Sequence, residues 1–172
     1  LTAAFLGTTV FGGQAFLSGC TSRREALGTL TDKDIPLLNA LGEAILPATS
    51  KSPGAGTDRV GKFVLSVVKD CYREEEAQIF ESGIRTLQQD AKERYGTDFG
   101  NLNPEDQTKL LTQYDKEARE HEDRDEPHFY SMLLQLTIWG FFISEPGATQ
   151  ALRYNPTPGR FEGCIPYEKG QA

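Results

Sequence analysis

The sequence lacks the motifs that most often identify an enzyme or a cofactor-binding protein. It has only three cysteines, and none of them forms a Cys-x-x-Cys or Cys-x-x-Cys-His motif, which excludes a covalent haem and a paired-cysteine zinc site. No Gly-x-Gly-x-x-Gly motif follows a predicted strand, so the chain has no dinucleotide-binding loop. No residue is therefore predicted to be catalytic, and no cofactor is expected to bind to this chain alone.

Basic residues are outnumbered, because 18 Lys and Arg stand against 25 Asp and Glu and leave a net charge of −7. Binding to nucleic acid requires a concentrated basic face. The composition therefore argues against a nucleic-acid partner and against electrostatic adhesion to anionic lipid. A hydrophobic fraction of 38% in 172 residues suits one modest core and a single soluble domain.

Charge is absent altogether from residues 1–19, whereas every Lys, Arg, Asp and Glu follows Cys20. An uncharged stretch with scattered Leu, Val and Phe side chains predicts an export segment that is removed during processing. Because the sequence does not begin with Met, we expect a charged leader to precede Leu1. Residues 20–30 are then predicted to be a polar tether to the folded domain.

Leu17-Ser18-Gly19-Cys20 resembles a bacterial lipobox. Small residues before the cysteine fit a signal peptidase cleft, and the Cys20 thiol is the acceptor of the diacylglycerol. The alternative is a transmembrane helix followed by an ordinary cysteine. The lipobox predicts an exported, periplasmic protein anchored to a bacterial membrane, since each buried acyl methylene contributes about 0.8 kcal/mol.

From residue 31 onward, apolar residues recur at three- and four-residue intervals, which predicts an all-α fold, a five-helix bundle. Thr31 with Asp34 is the predicted cap of the first helix, which ends at Pro47. The second helix is predicted to start at Asp58, with Cys71 on its inner side. The others are predicted at 75–95, from 104 and at 129–144, with Gly96 ending the third and Asn103-Pro104 opening the fourth.

The fifth predicted helix, Phe129 to Ser144, is apolar around most of its circumference, as is typical of a central helix. We expect Trp139-Gly140-Phe141-Phe142 to belong to the core, with a contact surface as the alternative. The helix is too short and too polar to span a bilayer, which needs about 20 apolar residues.

Residues 145–172 are rich in Pro and Gly and are predicted to form an extended, irregular tail. Apolar and aromatic side chains on such a segment must lie on the bundle or on another protein. Interfaces favour Arg, Tyr and Phe, so Arg153, Tyr154, Arg160 and Phe161 are candidate contacts with a partner.

Titratable groups concentrate at one place, which comprises His121, Glu122, Asp123, Asp125, Glu126 and His128. The favoured interpretation is a solvated acidic connection between two helices. The rival is a stand-alone periplasmic enzyme or metal-binding protein that uses His121 and His128. If Cys20 is acylated, Cys71 and Cys164 remain as an even pair: an internal disulfide, two separate thiols and pairing across subunits are all open.

Two groups of motifs resemble the gluconate 2-dehydrogenase subunit 3 family. The first is Leu41-Gly42-Glu43-Ala44-Ile45-Leu46-Pro47 followed by Pro53-Gly54-Ala55. The second comprises Leu136-Thr137, Gly140-Phe141-Phe142, Ser144-Glu145, Gly147, Leu152-Arg153-Tyr154, Pro158-Gly159 and Gly163-Cys164.

The resemblance implies a small, non-catalytic, exported subunit of a complex. Its partner would be a large FAD-dependent dehydrogenase of sugars or sugar acids, of the glucose-methanol-choline type, with a cytochrome c as electron acceptor. In such systems the small subunit carries the export signal, and the catalytic subunit can travel with it by the twin-arginine route. Arg23-Arg24 follows the lipobox, so we expect any twin-arginine signal upstream of Leu1.

Overall fold

The structure is a computed structural model that describes residues 30–50, 52–56, 58–121, 125–152, 157, 159 and 164. The described residues form helices and connections and no β-strand, which confirms the predicted all-α class. The α-helices are α1 (Ile35–Ile45), α2 (Asp58–Asp70), α3 (Glu74–Tyr95), α4 (Pro104–Glu120) and α5 (Phe129–Ile143). Short 3₁₀ turns cover Asp32–Asp34 and Phe99–Asn101.

The helix ends follow local capping chemistry. The Thr31 N–H donates to the Asp34 carboxylate at 2.6 Å, so this predicted pair caps the 3₁₀ turn that leads into α1. Asn103 accepts a hydrogen bond from the Asp106 N–H at 2.9 Å and caps α4. Gly96 has a φ of +76° and ends α3, a left-handed conformation that glycine adopts without strain. These three predictions are confirmed.

Helix α5 is the centre of the fold, because it contacts each of the other four α-helices. Its buried side chains include Phe129, Leu133, Leu136 and Phe141. They join fully buried residues of the other helices, among them Leu38, Val64, Phe80, Leu87 and Leu110. The predicted central position of this helix is therefore confirmed.

Two glycines permit the close approach of neighbouring helices to α5. A Cβ atom on Gly83 of α3 would overlap the Phe129 ring at the start of α5. A Cβ atom on Gly140 of α5 would lie 2.6 Å from Cδ1 of Phe63 on α2. Real Cβ contacts are longer than this, so both positions require a hydrogen in place of a side chain.

The segment that connects α1 to α2 is held by one carboxylate. Glu43 accepts hydrogen bonds from the Ala48 N–H at 2.8 Å and the Gly56 N–H at 3.0 Å. The Ala55 N–H donates to the Leu46 carbonyl at 2.9 Å, and a Cβ on Gly42 would lie 2.8 Å from the Ala55 oxygen. The motifs around Glu43 and Ala55 thus serve to fold this connection back onto α1.

The chain after α5 differs from the irregular tail predicted from residue 145. Gly147–Ala151 form a π-helical turn, and Gly147 is buried. Ser144 starts the turn, because its hydroxyl accepts from the Gly147 N–H at 3.2 Å and its carbonyl accepts from the Ala148 N–H at 2.8 Å. Irregular chain was predicted because Pro146 and Gly147 disfavour a continuous α-helix, and this local capping was overlooked.

No helix among the described residues is long and apolar enough to cross a bilayer.

Gly83→Val tests the tight contact between α3 and α5. We expect the free energy of unfolding to fall by about 1–3 kcal/mol, because the added side chain overpacks the Phe129 site. Gln78→Val on the exposed side of the same helix is the matched control, with an expected change of a few tenths of a kcal/mol from helix propensity. Chemical denaturation measures both, and equal losses would show that Gly83 is not packed as described.

Candidate functional site

The exposed large apolar side chains of the described residues all lie between residues 138 and 152. Ile138 is 40%, Trp139 53%, Phe142 36%, Ile143 57% and Leu152 46% exposed. The first four occupy one side of the last turns of α5 and are called the apolar patch below. The expectation that Trp139 and Phe142 belong to the core is wrong, and only Gly140 and Phe141 of that run are buried.

The patch exists because α5 carries more apolar side chains than its neighbours can cover. Ser131 and Gln135 are exposed in its first half, and helical periodicity puts them on the same side as Ile138, Trp139 and Phe142. The exposed side of the helix therefore changes from polar to apolar along its length. Neighbouring exposed apolar side chains are typical of interaction surfaces, so the patch is a candidate functional site.

The aromatic groups of the patch are held in place by neighbours. The Trp139 ring meets the Phe63 ring edge-on, with centroids 5.2 Å apart. The Phe142 ring makes a similar contact with Phe141 at 5.1 Å. Aromatic pairs of this geometry contribute about 0.5–1.5 kcal/mol beyond area burial. The two exposed rings are therefore positioned before any partner arrives.

An ion pair joins α2 to the chain just after α5. Arg59 on α2 contacts Glu145, two residues after Ile143, with Nη1 and Oε2 3.2 Å apart, and both side chains are exposed. Helix α5 itself contains no Lys, Arg, Asp or Glu. The patch is therefore uncharged, and the first charged residue after it is paired.

His121 and His128 meet at the corner between α4 and α5, with ring centroids 5.5 Å apart. Both line a cavity of about 420 Å³ together with Asp115, Arg119 and Tyr130. Within the residues described around this corner, which omit 122–124, no three His, Cys, Asp or Glu side chains converge as metal ligands. Glu122 and Asp123 of the predicted cluster lie outside the described residues.

Each of the two imidazoles makes a hydrogen bond with a backbone group. His128 Nδ1 accepts from the Tyr130 N–H at 3.2 Å, which makes His128 the N-cap of α5. His121 Nε2 lies 3.0 Å from the Glu126 carbonyl oxygen, to which it donates. Sequence analysis missed this capping role, and its only signal was the position of His128 directly before an apolar helical run.

Burial lowers the pKa of His128 below its ordinary value, the charge of His121 adds to the shift, and Glu117 opposes it. The neutral ring is also the form that can cap, since protonation of Nδ1 removes the acceptor. A cation at a helix N-terminus is further disfavoured by the helix dipole. Geometry and electrostatics thus both favour an uncharged His128.

Cys71 and Cys164 are both exposed and free, so an internal disulfide, one of the three possibilities left open by the sequence, is not part of the structure. Cys71 was also placed wrongly on the inner side of α2. The helix ends at Asp70, and the Cys71 N–H donates to the Val67 carbonyl at 2.9 Å in the turn that follows. This turn directs the thiol away from the core.

Other predicted site residues lie outside the described residues. These are the lipidation site Cys20 and the candidate interface residues Arg153, Tyr154, Arg160 and Phe161.

His128→Asn tests the pH dependence of the α5 cap. The folded-state pKa of His128 is lowered, so the unfolded state binds the proton more readily and stability is lost as pH falls through the ordinary value of 6.5. Asn accepts the Tyr130 N–H at any pH. We expect the wild type to lose more unfolding free energy than His128→Asn between about pH 7.5 and 5.5. Equal losses in denaturation curves would contradict the assignment.

Comparison with known proteins supplies the family. No curated protein and no solved structure matches the chain significantly. Residues 32–159 match the family described as Gluconate 2-dehydrogenase subunit 3. The match covers all five α-helices, the Glu43 connection and the apolar patch. The chain belongs to the gluconate 2-dehydrogenase subunit 3 family.

Proposed function

We propose that this chain is a non-catalytic accessory subunit that escorts, stabilises and tethers a large dehydrogenase subunit at a bacterial membrane. The observation that carries the proposal is membership of a family named as a dehydrogenase subunit, over residues 32–159. The exposed apolar patch supports it, because a subunit requires a surface for its partner.

In this proposal the oxidation reaction takes place in the large subunit. Oxidation of a sugar or sugar acid releases two electrons, and the proposed FAD of the large subunit accepts them before a cytochrome c receives them. The small subunit contributes position and stability. A partner that binds only the folded form of a protein stabilises that form by mass action.

The proposed anchor is a lipid on Cys20, in the periplasm. The tether of residues 21–30, even fully extended, reaches roughly 35 Å. Its end is fixed on the domain, because Leu30 is buried and its N–H donates to the buried Glu81 carboxylate of α3 at 3.2 Å. A complex held in this way has the start of its small subunit, Leu30, within that distance of the membrane surface.

Cys20→Ala tests the anchor. We expect the protein to leave the membrane fraction or to remain unprocessed, because the acyl acceptor is lost. Cys71→Ala is the matched control, since Cys71 is exposed and free, and it should stay in the membrane fraction. Wild-type protein that is soluble after export, with a mature N-terminus other than Cys20, would contradict the anchor.

Purification of wild-type protein from native membranes tests the partner. We expect a large subunit with a flavin absorbance spectrum to co-purify. A preparation without flavoprotein would contradict the proposal.

Deletion of residues 153–172 tests the predicted interface on the tail. Arg153, Tyr154, Arg160 and Phe161 are lost, so capture of the large subunit should weaken. The cut after Leu152 is preferable to one after Ser144, because Gly147 is buried and Ala151 packs against the core. Circular dichroism should show that the helices are retained. Undiminished capture would place the interface elsewhere.

A further inference from the structure

We infer that the large dehydrogenase subunit docks on the apolar patch of α5, formed by Ile138, Trp139, Phe142 and Ile143. The inference rests on the proposed function and names the surface that performs it. It goes beyond the tail residues, because the patch lies within the folded domain.

The composition of the patch is that of an interface centre. Its two aromatic and two aliphatic side chains are 36–57% exposed, whereas the other large apolar groups of the described chain, apart from Leu152, are buried or half-buried. Interface centres are depleted in charge and enriched in aromatic residues. Trp is among the residues that contribute most to binding energy.

The aromatic side chains of the patch are held in place before binding. Trp139 is braced by Phe63, and Phe142 by Phe141, on a helix that contacts all the others. Binding therefore requires little ordering of side chains, and ordering is one of the main costs of association. A surface that is rigid before binding is suited to a permanent subunit contact.

The charge of the chain favours a different protein as the occupant of the patch. The chain has a net charge of −7, so two copies repel each other, and an anionic bilayer repels the domain as well. Helices that lie in a bilayer surface carry Lys and Arg beside the apolar face, and α5 carries neither. The complementary surface is an apolar depression on a protein, bordered by basic or uncharged side chains.

Ile143→Asp and Gln135→Asp form a matched pair for the test. Both add one negative charge to the exposed side of α5, Ile143→Asp inside the patch and Gln135→Asp on the turn directly before it. We expect Ile143→Asp to weaken capture of the purified large subunit by tenfold or more, since the new carboxylate is buried without a partner. Gln135→Asp should change capture by less than about threefold, as expected for a charge near the rim of an interface.

Measurements on the isolated, detergent-solubilised full chain separate the alternatives. Asp at the last residue of α5 opposes the helix dipole, so Ile143→Asp should lower the melting temperature by the same small amount in the full chain and in the chain without residues 153–172, and the wild type should be monomeric. A larger fall in the full chain than in the truncated chain would mean that the chain's own tail covers the patch, and a wild-type dimer that Ile143→Asp dissociates would mean that a second copy does. Either result overturns the inference.

The capture assay also separates this inference from the proposed function. Equal capture by wild type and Ile143→Asp overturns the docking surface and leaves the accessory role intact. Failure of the wild type to capture the large subunit contradicts the accessory role itself, and the docking surface with it.

Discussion

The apolar circumference of α5 is the constraint on which the rest of the structure depends. One side of the helix is buried by α1 to α4, and the approach is close enough that Gly83 and Gly140 cannot carry a side chain. These four helices do not cover the whole circumference of α5. In the first half of α5 the exposed side carries the polar residues Ser131 and Gln135, whereas in the second half it carries apolar residues. The residual apolar surface is therefore a consequence of the same helix that organises the core.

The exposed apolar surface of α5 supports the proposed function. Burying apolar surface is favourable by roughly 25 cal/mol per Å², so an exposed Trp139 and Ile143 gain stability when a partner covers them. The domain supplies a rigid surface, and its start at Leu30 is fixed by Glu81. Family membership indicates the class of partner, and the proposed lipid on Cys20 would hold the complex at the membrane. The two histidines have a structural explanation at the α4–α5 corner, where His128 caps α5.

Much of the fold was predictable because it depends on local sequence patterns. Periodicity gave the helices, and Asn103 and Gly96 marked their ends through capping chemistry. The fate of Trp139 and Phe142 was not predictable, because the number of apolar groups that a core can hold depends on how all the helices pack. Cys71 was wrongly placed on the inner side of α2 for a related reason, since periodicity does not show that the helix stops at Asp70. The π-helical turn after α5 was missed although its hydrogen bonds to Ser144 are local, because Pro146 and Gly147 disfavour a continuous α-helix.

The most direct measurement of the docking surface is site-specific photo-crosslinking in native membranes. A benzophenone amino acid at position 143 should give an adduct that contains this chain and the large dehydrogenase subunit, because the side chain lies in the apolar patch. The same group at position 78, on the exposed side of α3, should give no such adduct. An adduct from position 78 and none from position 143, or an adduct of two copies of this chain, would contradict the account.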